Sequence, residues 1–198
     1  MKNKKIVVFD FDGTLTTSDS FIKFAQYSVG IAGLIRAILS NAVYLAAWKC
    51  GIMAGGRAKE KLFTSLYAGR THDWLLSHGE LFASHIATFE RTDIVRALDE
   101  HISKGDLVYI VSASMPEWIT AWAARHSVPA DHVIGTLCEV NNDGIITGRF
   151  ATGNCYGPEK VNRLRQAVGD LSSYHITAYG DSNGDKEMFA TADIAIKV

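Results

Sequence analysis

Asp10 and Asp12 close the apolar run Val7-Val8-Phe9 and are followed by Gly13 and Thr14. In an extended strand residues i and i+2 point the same way, so the two carboxylates face one spot. Gly13 lets the chain turn sharply and removes a side chain where a ligand would approach. An ordinary strand end running into an Asx-rich turn has the same composition. Three later signals set this stretch apart: Ser112, Lys160, and the acidic run Gly180-Asp181-Ser182-Asn183-Gly184-Asp185.

The elements that must position these groups are legible from pattern. Residues 6–9 are continuous, apolar and β-branched, as in a parallel strand buried on both faces. From 18 to about 91 the pattern is helical. Ser20 or Asp19 can cap a helix running to 27, Gly30 and Gly33 are expected to break it, and 34–48 is strongly apolar. Helices are predicted over 57–67 and 72–89. A helix over 92–103 leads to a second buried strand, 107–111, which ends at Ser112-Ala113-Ser114. Pro116 starts the next helix. A weak strand lies at 133–136, and a β-hairpin at 139–150 turns at Asn142-Asp143-Gly144. A helix opens at Pro158, a strand spans 174–179 and ends at Gly180-Asp181, a short helix follows, and 193–198 is the last strand. This alternation predicts an α/β fold, a doubly wound, Rossmann-like parallel sheet with right-handed crossovers. Ligands in such sheets bind at the carboxyl ends of strands, which here carry Asp10, Ser112 and Asp181. The stretch 17–91 is too long for an ordinary crossover. It reads as an α-helical cap inserted after the first strand, with 1–16 and 92–198 forming the catalytic core. Such a cap can close over a site and shed water.

The set Asp10-Phe11-Asp12-Gly13-Thr14, Ser112, Lys160 and Gly180 to Asp185 resembles, in order, the motifs of the haloacid dehalogenase superfamily of phosphohydrolases. The resemblance implies the strand order 3-2-1-4-5, which puts Ser112 and Asp181 on either side of Asp10. It also implies that the backbone carbonyl of Asp12 binds a metal. Family members that cleave carbon–halogen bonds lack the second aspartate, so Asp12 favours phosphate esters. The insert position is most similar to that of the phosphoserine phosphatase branch. There an acidic residue nine positions after the nucleophile contacts the substrate's amino group, and Asp19 stands at that place; its plainer reading is a helix cap. Arg57, Lys59 and Lys61 are candidates for gripping a substrate carboxylate. Two departures from that branch are Ser112-Ala113-Ser114 in place of Ser-Gly-Gly, and Gly184 in place of Asn. The apolar insert also resembles that of bacterial phosphatidylglycerophosphate phosphatases.

Four carboxylates gathered in one place, Asp10, Asp12, Asp181 and Asp185, repel one another unless protons or a cation lie among them. Oxygen-only ligands favour a hard ion, and Mg²⁺ fits because it takes few carboxylates and keeps waters and a phosphate oxygen. Lys160 adds a second positive charge. Such a site can form an aspartyl-phosphate on Asp10, while Asp12 protonates the leaving alkoxide and then activates water. Ser112, Thr14, backbone N–H groups after Asp10, the Ala113 segment and Lys160 are expected to hold the phosphoryl oxygens. Asp181 would bind the metal, and Asp185 would bind it through water or orient Lys160. A phosphoacceptor module and a phosphotransferase on the same core are the competing readings.

Composition excludes several classes. The 198 residues carry a formal net charge of −1 and show no basic-aromatic stripe, so no nucleic-acid partner is expected. The expected partner is a small phosphorylated metabolite or a lipid phosphate. Cys50, Cys138 and Cys155 form no metal spacing, and the seven histidines show no ligand pair beside a carboxylate motif. Reduced thiols and the lack of a secretory pattern suggest a cytoplasmic setting. The run 34–48 is shorter than a membrane span and contains Arg36, so no span is expected. It is expected to be a buried cap helix, or else a helix whose apolar face makes peripheral contact with lipid or a greasy substrate.

Overall fold

A computed structural model describes residues 4–198; residues 1–3, the start of the expected core segment, lie outside the described residues. Strand β1 (Lys4–Phe9) is central. It pairs in parallel with β2 (Leu107–Val111) on one side and with β6 (Tyr174–Gly180) on the other. β3 (Val133–Ile134) and β7 (Ile194–Lys197) complete a five-stranded parallel sheet of order β3-β2-β1-β6-β7. In the numbering of sheet strands alone this is the expected 3-2-1-4-5. The register sets Phe9 beside Ile110 and Tyr179, so the carboxyl ends of the three central strands finish level.

Burial on both faces explains the unbroken apolar character of residues 6–9 in β1. Val7 and Phe9 join a large core with Phe11, Trp118 and Trp122, whereas Ile6 and Val8 join Val111, Leu164 and Ile176 on the opposite face. Phe24 lies 4.5 Å from Trp118, ring over ring, and Trp118 Nε1 donates to Ser20 Oγ at 3.0 Å, joining the insert to the core.

The insert consists of α1 (Ser20–Ser40), α2 (Ala42–Lys49), α3 (Gly55–Tyr67) and α4 (His72–Ile86). Its two connections to the core run side by side: Thr17 N donates to Phe89 O, and Arg91 N donates to Leu15 O, each at 2.8 Å. Past the insert come α5 (Thr92–Ser103), α6 (Pro116–Ala123), the hairpin β4 (Cys138–Val140) and β5 (Ile146–Phe150), α7 (Pro158–Val168) and α8 (Lys186–Thr191). The hairpin lies along α3: Thr64 Oγ1 donates to Gly148 O at 2.7 Å and Gly69 N to Ile146 O at 2.9 Å.

Two expectations for the insert are corrected. Gly30 does kink α1, with φ 75° and ψ 167°, but Gly33 stays helical and the next break falls at Asn41. Asn41 Nδ2 donates to Ala37 O and to Ser65 Oγ, so its amide closes one helix and ties it to α3. The run 34–48 is therefore two helices. It is not a buried cap helix either, because α2 buries none of its residues. Ile31, Ile35, Leu39, Val43, Tyr44 and Trp48 are exposed. Among the described residues, α1 alone is long and apolar enough to cross a membrane, at a mean hydropathy of 1.3; its first turns carry Phe21 and Phe24 into the core.

Candidate active site

The carboxyl ends of β1, β2 and β6 open into a cavity of about 550 Å³ whose lining includes Asp10, Asp12, Asp19, Ser112, Ala113 and Lys160. Asp10 is held at its base by its own backbone N–H, which donates to Tyr179 O at 2.9 Å, extending the β1–β6 ladder. Lys160, in the first turn of α7, points inward and is 2% exposed. Its ammonium donates to Asp10 Oδ1 at 2.6 Å and to Asp185 Oδ1 at 2.7 Å. Burial pushes the Asp10 carboxyl up to about 7, against the pull of the Lys160 charge, and the neighbouring Asp185 adds to the rise. The two carboxylates hold the Lys160 ammonium above its ordinary range despite burial.

Asp185 is clamped from the other side. Its Oδ2 accepts from the backbone N–H groups of Asp181 and Ser182, at 3.2 and 3.0 Å, and from Ser182 Oγ at 3.1 Å. Both of its oxygens are thus engaged, one by Lys160 and one by the loop. A Cβ at Gly180 would sit 2.7 Å from Asp185 Cγ, so the turn closes only because this position has no side chain. Gly13 makes the same allowance for Asp181. Its φ is +87°, and an added Cβ would meet Asp181 Oδ2 at 2.4 Å. Thr14 is buried, with its hydroxyl directed at Asp181 Oδ1, 3.4 Å away.

Oxygens of Asp10, Asp181 and Asp185 lie within 4.8 Å of one another. An all-oxygen set of three carboxylates suits a hard divalent cation and offers no soft ligand. Lys160 neutralises part of the cluster on the buried side, and Asp181, half-buried, is the most exposed of the three carboxylates.

Asp12 Oδ1 accepts from Ser20 N at 2.7 Å, and Oδ2 accepts a short hydrogen bond from Ser114 Oγ. Burial raises the Asp12 pKa, the Asp19 charge adds to this, and Ser114, Lys59 and Ser20 oppose it. A carboxyl inclined to hold a proton, two residues from the candidate nucleophile, is placed for acid–base work. Ser112 Oγ accepts from Ser114 N at 3.0 Å, leaving its hydroxyl hydrogen for another acceptor. The Ala113 carbonyl accepts from Lys59 Nζ at 3.0 Å and from Thr136 Oγ1 at 2.7 Å.

Asp19 is the helix cap of the plainer reading, and it also faces the cavity. Its side chain accepts from Ile22 N at 3.0 Å as the N-cap of α1. Of the three candidate cations on α3, only Lys59 lines the cavity, beside Phe21; Lys61 lies over Tyr44 instead. Residues that sequence reasoning missed are Ser114 as the partner of Asp12, and Arg91, whose guanidinium donates to Gly13 O at 2.9 Å and braces the first turn. Ser114 was visible in the serine pair flanking Ala113; Arg91 had no local signal. Gly184 has a steric reason to be glycine, because a Cβ there would come within 2.5 Å of the Tyr156 ring on the cavity wall.

Comparison with known proteins bears on the family and the fold. The model of the haloacid dehalogenase-like hydrolase family matches residues 7–190. Protein CicA of Caulobacter vibrioides is 35% identical over 192 residues, spanning 95% of this chain and 83% of that protein. Histidinol-phosphatase of Neisseria meningitidis is 24% identical, spanning 92% of this chain and 84% of that one. The crystal structure of a phosphoserine phosphohydrolase-like protein from Francisella tularensis superposes with a TM-score of 0.69 at 16% identity, covering 98% of this chain and 86% of that chain.

Proposed function

This chain belongs to the haloacid dehalogenase-like hydrolases, and we propose that it is a Mg²⁺-dependent phosphatase that opens a phosphate monoester by forming an aspartyl-phosphate on Asp10. The observation that carries this reading is the buried Lys160 ammonium bridging Asp10 and Asp185, with Asp181 beside them and Asp12 across the turn. Asp10, Asp181 and the Asp12 carbonyl would hold the ion, with Asp185 fixing Lys160. When bound, Mg²⁺ neutralises phosphoryl charge and sets the phosphate in line.

The chain's own residues do the rest. A carboxylate oxygen of Asp10 bonds to phosphorus as the phosphorus–ester oxygen bond breaks. Asp12 gives its proton to the departing alkoxide. Water then attacks the phosphoryl group, gives a proton back to Asp12, and frees the Asp10 carboxylate. Lys160 and Ser112 donate to the phosphoryl oxygens, where transition-state charge gathers. Thr14 supports the set from behind, through Asp181.

Within the cavity Asp19 and Lys59 offer one negative and one positive charge, which suits an amino-acid-like or amino-alcohol phosphate. A second reading, a lipid phosphate, is favoured by the apolar wall of Phe21, Leu45, Trp48 and Leu62, in which Trp48 also belongs to the exposed apolar face of α2. Peripheral contact of 34–48 with a bilayer belongs to that reading.

The test is turnover of p-nitrophenyl phosphate with and without Mg²⁺, followed by phosphoserine, histidinol phosphate, small sugar phosphates and phosphatidylglycerophosphate. Activity that requires the metal and vanishes in Asp10→Asn supports the reading. Unchanged activity in that variant, or in chelator, overturns it.

A further inference from the structure

At the start of α6, outside the carboxylate set around Asp10, three side chains from distant parts of the chain converge. His72 opens α4, Glu117 lies in the first turn of α6, and Cys138 begins β4. Glu117 Oε1 is 3.2 Å from His72 Nε2 and 3.2 Å from Cys138 Sγ. The three candidate ligand atoms all lie within 4.8 Å of one another. We propose that His72, Glu117 and Cys138 form a second metal site, one that takes a borderline transition-metal ion of the Zn²⁺ type and joins α4, α6 and the hairpin.

The first argument is the state of Glu117. Its side chain is 7% exposed, and Oε2 is buried without any hydrogen-bond partner. Oε1 meanwhile serves both neighbours. Among the described residues its ion-pair partner is His72, with no lysine or arginine on it. A buried carboxylate with one idle oxygen and no fixed positive charge is an unfavourable arrangement unless a cation completes it.

The second argument is spacing. Around a tetrahedral zinc ion, with ligand bonds of about 2.0–2.3 Å, neighbouring ligand atoms stand about 3.3–3.6 Å apart. The two observed separations from Glu117 fall just short of this, so small side-chain rotations would open room for the ion. The third is donor type. Imidazole, thiolate and carboxylate together select a zinc-like ion over Mg²⁺, which the all-oxygen set around Asp10 prefers. The His72 side chain is about a third exposed, which gives an entry path and an open position for water. Binding would displace the Cys138 thiol proton to solvent.

Position suggests the consequence. His72 N donates to Gly144 O at 2.8 Å, and Gly79 on α4 packs directly on the Glu117 carbonyl. An ion here would pin the helical insert to α6 and to the hairpin. This role is structural or regulatory and does not depend on which phosphate ester is cleaved.

The experiment uses the full chain, stripped with chelator and titrated with Co²⁺ and then Zn²⁺. One tight Co²⁺ equivalent with a thiolate-to-cobalt charge-transfer band is expected, displaced by Zn²⁺, together with a rise in Tm on Zn²⁺ addition. The band should disappear in Cys138→Ser and persist in Cys50→Ser. Zn²⁺ affinity should fall at least tenfold in His72→Ala, a substitution at a partly exposed position that leaves the core intact. All three variants should retain turnover of p-nitrophenyl phosphate in Mg²⁺. Absence of the band, or a band and affinity untouched by both Cys138→Ser and His72→Ala, overturns the assignment.

Discussion

Replacing Lys160 by methionine removes one ammonium and two hydrogen bonds, at 2.6 and 2.7 Å, from a site where Lys160 is 2% exposed and Asp185 fully buried. Methionine keeps much of the volume, so packing changes little. Asp10 and Asp185 then face each other without a buried counter-charge. Breaking a buried pair in this way costs about 3–5 kcal/mol of folding stability. Mg²⁺ on the open side and protonation of one carboxyl should bring the loss toward the lower figure. In the proposed mechanism the same ammonium also donates to the phosphoryl group, and loss of a charged donor there is expected to lower kcat by about 10²–10³. Urea unfolding and turnover of p-nitrophenyl phosphate in saturating Mg²⁺ measure the two effects. The double variant Lys160→Met with Asp185→Asn separates them: it relieves the unpaired charge and should recover about 1–3 kcal/mol, while activity stays low. If Lys160→Met keeps more than about a tenth of wild-type kcat, the placement of Lys160 in the phosphoryl site is wrong.

Other outcomes follow from the same geometry. Asp12→Asn should leave metal affinity nearly unchanged and slow alkyl phosphates far more than phenyl phosphates, whose leaving group needs less protonation; equal losses on both would contradict the acid role. Gly13→Ala places a Cβ against Asp181 at a φ of +87°, so Mg²⁺ affinity measured by titration should fall at least tenfold, and an unchanged affinity would show that the turn has slack. Burial raises the Asp106 carboxyl, but hydrogen bonds from Lys5 and His101 outweigh it and hold it below the usual carboxylate range. Its contribution to stability is therefore present above the unfolded-state pKa of about 3.9 and is lost as pH falls through the folded value. Urea midpoints below pH 5 should drop less steeply in Asp106→Asn than in wild type, and parallel curves would rule this out.

The parts of the fold that local pattern reveals are those whose reasons are local. The β1 segment is apolar because both faces are buried, and Asp10, Asp12 and Gly13 announce their geometry within a few residues. Gly180 and Asp185 are likewise a self-contained turn. The misreadings concern contacts across long separations. Whether 34–48 is buried depends on what lies over it, and α2 is left uncovered while Asn41 breaks the run through a bond to Ser65. Ser114 finds Asp12, and Arg91 finds Gly13, only once β1 and β2 are paired and the insert has returned to the core. His72, Glu117 and Cys138 had no spacing to betray them for the same reason.

The phospho-enzyme itself offers the most direct test. Acid quench of the enzyme during turnover of a radiolabelled phosphate ester, followed by peptide mapping, should find the label on the peptide carrying Asp10, sensitive to hydroxylamine and absent from Asp10→Asn. Steady turnover with no label on protein, or label on a different carboxylate, would contradict attack by Asp10.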